Sequence, residues 1–176
     1  MAQHEALREL QARLTERMQA ARTEVRPRGW LAVEAGGCGF LFPLDQSGEI
    51  FSIAEMRPLA HTRPWFCGVA NLRGGLHGVV DLAAFIGLRE RAPADAAGRD
   101  EARLVALNPA LGALCALRVD RLAGLRNADQ LTAEPAQSDR PPFARNLWRD
   151  AQGQRWQEID LADLAGQGQF LSIAAA

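Results

Sequence analysis

VVDLAAFIG at residues 79–87 and EIDLADLAG at residues 158–166 share one pattern: a strand end, an Asp, Leu-Ala, an apolar helical turn and a Gly. Asp accepts hydrogen bonds from the orphan N–H groups of a first helical turn, and Gly tolerates the left-handed exit that ends it. Each copy therefore reads as a strand feeding a short capped helix. The upstream residues echo as well: LAVEAGGCGFLFPLD from Leu31 matches LVALNPALGALCALRVD from Leu104. Such self-similarity predicts two copies of one small β unit. Either copy alone is too small to enclose a large core, so two barrel-like lobes sharing a seam are expected.

Outward from these copies, the first unit opens with strands at 30–34 and 38–43 around Gly36-Gly37, a hairpin signal, followed by a strand at 49–53. A stretch punctuated by Pro58 and Pro64 precedes strands at 67–72 and 76–80, which flank an Arg73-Gly74-Gly75 bend. The capped helix covers 82–86, and Gly87 ends it. Residues 90–100 (ERAPADAAGRD) have the composition of a linker or exposed loop. Strand texture resumes at 103–107, turns through 108–112 and returns along 113–119. Residues 132–142 (TAEPAQSDRPP) read as a second polar loop, and a turn at 150–153 separates Leu147-Trp148 from a strand at 155–159. Ahead of both units, Leu7, Leu10, Leu14, Met18, Ala21 and Val25 form the apolar stripe of a helix over residues 1–26, closed by Pro27. The stripe docks on the chain's own body or on a partner helix.

The 176 residues are 48% hydrophobic, enough for a real core. Twenty basic and 21 acidic residues give a net charge of −1, without the surplus of cations that neutralising nucleic-acid phosphates requires. Cys38, Cys67 and Cys115 lack zinc or redox spacing, and each lies in an apolar stretch, as reduced core thiols do. None of His4, His61 and His77 has a second His or Cys three or four residues on, so no metal is expected. Arg-Gly-Gly lacks the Lys and the following helix of a phosphate loop, and no cofactor is expected. No signal-peptide core and no run approaching ~20 apolar residues is present. A soluble cytoplasmic protein without membrane insertion is expected.

Residues 64–74 read PWFCGVANLRG, with Asp81-Leu82 and Gly87-Leu88 downstream. The combination resembles the signature of the CheW family. Phe42-Pro43-Leu44 leading to Glu49-Ile50, Leu117-Arg118-Val119-Asp120 and Ile159-Asp160-Leu161 support it, and the resemblance runs from about Trp30 to Gly166. It implies a mostly β fold of two SH3-like five-stranded β-barrel lobes with short helices. Residues 1–27 would form an N-terminal helical extension to a CheW-like domain at 28–176. Within that domain, lobe 1 covers about 28–89, a linker 90–101 and lobe 2 about 102–166, with a C-terminal tail packing back. The resemblance also implies a non-enzymatic adaptor, recruited to membrane-associated receptor arrays. Such an adaptor couples the cytoplasmic tips of methyl-accepting chemoreceptors to the regulatory domain of a CheA-type histidine kinase. Other CheW-like domains in array rings are further candidate partners. The helical extension and the wording around GVANLRG resemble the PilI type, the adaptor of type IV pilus (twitching motility) systems. The alternatives are a flagellar chemotaxis adaptor and a small-ligand-binding module.

The partner-binding residues implied by the resemblance are Ser47, Glu49, Ile50, Asn71, Leu72, Arg73 and Gly74. Arg73, on a bend, offers five fixed donors to a partner's carboxylate or carbonyl, or braces its own lobe. Asn71 suits backbone groups at the strand end, and Leu72 suits the core. Glu49 and Ile50 either line a groove between the lobes or are an exposed Glu beside a core Ile. Two residues depart from the family: Ser47 replaces an apolar residue, and Gly78 replaces a proline, which would loosen its strand. Asp81 and Asp160 read as caps rather than as an acid/base pair. Trp156 reads as core, and Trp65 as core or a partner anchor.

Overall fold

The computed structural model describes residues 29–91, 100–135 and 140–175, and the helix expected over residues 1–26 lies outside them. The first hairpin is β1 (Gly29–Ala35) with β2 (Cys38–Pro43). Gly36 and Gly37 join them at φ 58° and 77°, the left-handed pair that a two-residue hairpin turn demands. β3 (Ser47–Ser52) and the two-residue β4 (Met56–Arg57) lead to β5 (Phe66–Leu72), β6 (Gly75–Asp81) and the helix α1 (Leu82–Phe85). The second unit runs β7 (Arg103–Leu107), β8 (Cys115–Val119), β9 (Arg121–Asn127), β10 (Leu131–Glu134), β11 (Ala144–Asp150), β12 (Arg155–Ile159) and α2 (Leu161–Gly166). A last helix, α3 (Gly168–Leu171), follows. Both aspartates cap as their context dictates. Asp81 accepts from the Ala84 N–H at 2.9 Å and Asp160 from the Asp163 N–H at 3.0 Å.

The strands form two six-stranded sheets, ordered β10-β11-β12-β2-β1-β9 and β3-β7-β8-β6-β5-β4. Reversing the second order and advancing each strand by six places in the repeat reproduces the first, so the duplication is visible in the topology itself. The units are nevertheless interleaved. The hairpin β1–β2 joins β9 to β12, and β7–β8 joins β3 to β6. The stretches at about 28–89 and 102–166 therefore do not each build a lobe alone, because each supplies the other's sheet with a hairpin. The joints are parallel, β12 beside β2 and β6 beside β8. Each sheet also has six strands where five were expected, with β4 and its counterpart β10 at the outer edges.

Side-chain alternation divides the core into three. Leu31, Val33, Phe40 and Phe42 of one exchanged hairpin meet Val105, Leu107, Leu117 and Val119 of the other at the seam. On the opposite faces, Trp30, Ala32 and Leu41 pack with Leu131 and Trp156 inside the first sheet. Leu104, Ala106 and Ala116 pack with Leu72 and Val79 inside the second. Strands buried on both faces read as continuous apolar runs, which is how these hairpins appear in the sequence. Trp65 is core: its ring meets Phe85 edge-on at 5.2 Å and stacks with Phe170 of α3 at 6.5 Å. The chain beyond α3 returns along residues 61–63, where the Arg63 N–H donates to the Ile173 carbonyl at 2.8 Å.

Two glycines are fixed by their neighbours. Gly78 leaves no gap, because a Cβ added there would lie 3.2 Å from the Phe66 ring. The loosening expected of this strand is thus met by an aromatic side chain lying over the glycine. Gly68, at φ 126° where β5 bulges, faces the Arg57 carbonyl oxygen so closely that an added Cβ would collide with it. Gly68→Ala is expected to cost about 1–3 kcal/mol from strained backbone. A thermal melt lowered by several degrees would show it, and an unchanged melting temperature would contradict the close approach.

Candidate partner-binding surface

The turn between β5 and β6 is built from Arg73 and Gly74, both with positive φ (48° and 82°). A left-handed conformation costs a non-glycine residue roughly 1–2 kcal/mol, so this turn holds Arg73 where another sequence would place Gly or Asn. Asn71 supports it: its Oδ1 accepts from the Gly74 N–H at 2.8 Å. Leu72 is buried in the second sheet's interior. The motif therefore divides into residues that build the turn, Asn71 and Leu72, and a tip, Arg73-Gly74, that the turn exposes.

Arg73 Nη1 donates to Glu49 Oε1 at 2.9 Å, and the two side chains remain 76% and 52% exposed. Glu49 lies on β3 at one edge of its sheet, four places from β5. At a strand spacing of ~4.8 Å a flat sheet would separate them by about 19 Å. Their contact shows that the sheet curls round until its rim meets itself. Ile50 is exposed beside Glu49, so its place is on the surface and not in the core. Ser47 turns its hydroxyl inward, donating to the Pro43 carbonyl at 2.9 Å. Of the seven candidates, Arg73, Gly74, Glu49 and Ile50 are available at one rim, while Asn71, Leu72 and Ser47 are engaged within the chain.

Two buried polar clusters escaped the sequence reading. Asp81, fully buried, accepts from Arg118 Nη1 at 2.8 Å and from Arg89 Nε and Nη2 at 2.9 and 2.6 Å, besides capping α1. Arg89 also donates to Asp120 at 2.9 Å, and Asp120 in turn accepts from the Gly36 N–H at 2.8 Å. The cluster thus links α1, β8 and the first hairpin across the seam. Glu158 is the second hub, accepting from Trp30 and Trp148 Nε1 at 3.1 Å each and from Asn146 Nδ2 at 3.0 Å. Arg118 carried a signal: it sits in CALRV, a strand buried on both faces, where a charge persists only if paired.

The model of the CheW-like domain matches residues 29–169. The chain belongs to the CheW-like domain family. It is 26% identical over 168 residues to Protein PilI of Pseudomonas aeruginosa, covering 92% of this chain and 89% of that protein. Among solved structures it is similar to the scaffolding protein TtCheW from Thermoanaerobacter tengcongensis. That match has a TM-score of 0.63 at 16% identity and covers 79% of this chain and 88% of that one. The second comparison bears on the fold alone, and it agrees with the expectation of a mostly β, CheW-like architecture.

Within this CheW-like domain the cysteines are not alike. Cys38 is exposed, unlike the core thiol expected, because it sits where the first hairpin leaves its Gly-Gly turn. Burial lifts the Cys67 thiol to about 11, helped by the charge of Asp81, and burial lifts Cys115 to about 12. The thiolate is the reactive form. At neutral pH a thiol reagent is therefore expected to label Cys38 quickly and the other two only on unfolding, with Cys67 accelerating as pH rises towards 11. Fast labelling of three thiols in the native protein at neutral pH would contradict this arrangement. Among the described residues no three His, Cys, Asp or Glu side chains group as a metal site, and no helix is long and apolar enough to cross a membrane.

Proposed function

We propose that this chain is a non-enzymatic adaptor coupling the cytoplasmic tips of methyl-accepting chemoreceptors to the regulatory domain of a CheA-type histidine kinase. The system it serves controls type IV pilus twitching motility. The observation that carries the reading is the exposed rim of Arg73, Gly74, Glu49 and Ile50 on a CheW-like fold, with an arginine held in a left-handed turn. A guanidinium so placed is preorganised for a carboxylate or carbonyl of another protein. Similarity to Protein PilI along most of the chain supports the pilus output. Each contact need bury only a modest area, with affinity in the micromolar range. Recruitment to a membrane-associated array, where other CheW-like domains sit in rings, adds avidity.

A pull-down with the full chain from its native lysate tests this reading. Recovery of a large histidine kinase together with pilus-motor proteins is expected. Recovery of the kinase with flagellar components would reassign the output, and recovery of neither kinase nor receptor would overturn the adaptor role.

A further inference from the structure

A cavity of about 450 Å³ opens beneath the connection between β4 and β5, and its lining shares nothing with the Arg73 rim. Ile53, Met56 and Phe66 give it apolar walls, while Arg63, Arg91 and Arg118 give it positive charge; among the described residues no Asp or Glu lines it. Arg118 is the decisive residue. It is 95% buried, and among the described residues its Nη1 alone has a hydrogen-bonding partner, Asp81. Among the described residues no nitrogen of its guanidinium is both sealed from solvent and unpaired, and Arg118 lines the cavity, so its remaining N–H groups face that space. The wall at residues 61–63 is pinned by the C-terminal chain, through the Arg63 N–H to the Ile173 carbonyl and the Ala175 N–H to the His61 carbonyl, both at 2.8 Å.

We propose that this cavity binds a small organic anion, its carboxylate or phosphate oxygens on Arg118 and Arg63 and its apolar body against Ile53, Met56 and Phe66. Pockets of this size take small organic ligands, with apolar walls for affinity and a few polar groups for orientation. A guanidinium edge offers paired donors that match either oxyanion. Asp81, lying behind Arg118, leaves its outward N–H groups free to donate. The cavity is separate from the adaptor surface, so it stands or falls independently of the function proposed above.

The test is an amide NMR titration of the full chain with octanoate, octanol and inorganic phosphate. Octanoate is expected to shift the Phe66, Cys67 and Arg118 amides saturably, at least about tenfold more tightly than octanol, a difference worth about 1.4 kcal/mol. Inorganic phosphate at the same amides with equal affinity would show that the apolar walls contribute nothing and would overturn the organic ligand. Octanol binding as well as octanoate would remove the guanidinium from the account. Arg118→Gln risks the fold, so Arg63→Gln, expected to weaken octanoate severalfold, and Met56→Trp, expected to abolish its binding, carry the mutational test. Unchanged octanoate binding in both folded variants, or no saturable shift at these amides, would overturn the site.

Discussion

Asp81→Ala is expected to destabilise the protein by about 3–5 kcal/mol, whereas Asp160→Ala, in the matching sequence context, is expected to cost about 1 kcal/mol. Both substitutions remove a helix cap, typically worth ~1 kcal/mol. The difference lies in what else each carboxylate holds. Asp160, whose side chain is 20% exposed, accepts beyond its cap only long hydrogen bonds, from Gln46 and from an Arg145 that is itself half exposed, and pairs open to solvent contribute little. Asp81 is fully buried between Arg118, whose side chain is 6% exposed, and Arg89, 19% exposed. Burial alone would depress the Arg89 pKa, but its hydrogen bonds to Asp81 and Asp120 raise it above the ordinary arginine value. Removing Asp81 leaves the buried Arg118 without its hydrogen-bonded carboxylate, with Asp120 at 4.0 Å as its remaining acidic neighbour among the described residues, and uncovering one partner of a buried pair typically costs 3–5 kcal/mol. For a chain of this length that lowers the melting temperature on the order of 10 °C. Denaturant unfolding of both variants checks it. Equal losses at the two aspartates would show that the buried network adds nothing to the cap.

Arg73→Glu is expected to leave folding intact and to weaken partner binding about tenfold or more. The Arg73–Glu49 pair is exposed on both sides, so its loss should cost no more than ~1 kcal/mol of stability. Losing one charge of a hydrogen-bonded pair buried at an interface costs considerably more, typically 2–5 kcal/mol, and about 1.4 kcal/mol already gives the tenfold loss. The double variant Arg73→Glu with Glu49→Arg separates the two roles open to Arg73. It restores an ion pair at the rim, so a brace would be rescued, while a partner that reads the position of the guanidinium would still be lost. Calorimetric titration against a receptor tip and a kinase regulatory domain is the measurement. Full recovery of affinity in the double variant would return Arg73 to a structural role.

Local chemistry was legible in the sequence, and long-range pairing was not. The Asp caps, the Gly36-Gly37 turn and the Arg73-Gly74 bend depend on a few adjacent residues, and each appears where the residue types place it. The exchange of hairpins has no local signature: it lies in the parallel joints β12–β2 and β6–β8, between residues far apart in the chain. β9 went unread because it is an edge strand, largely exposed and broken by Gly124, so no buried alternation marks it. β10 covers only four residues at the start of what reads as a polar loop. The motif around Arg73 disclosed a turn but not its partner, because Glu49 lies 24 residues upstream and reaches it only once the sheet has curled. Arg118 and Glu158 were overlooked for a related reason: their partners come from strands of the other unit or from indole N–H groups that a linear reading does not bring together.

The coupling claim is tested most directly by sedimenting receptor-tip assemblies with a CheA-type kinase, with and without this chain. The kinase is predicted to pellet with receptors only when the full chain is present, and to remain largely in the supernatant with Arg73→Glu. Kinase pelleting equally well without the chain, or undiminished with the variant, would contradict the account.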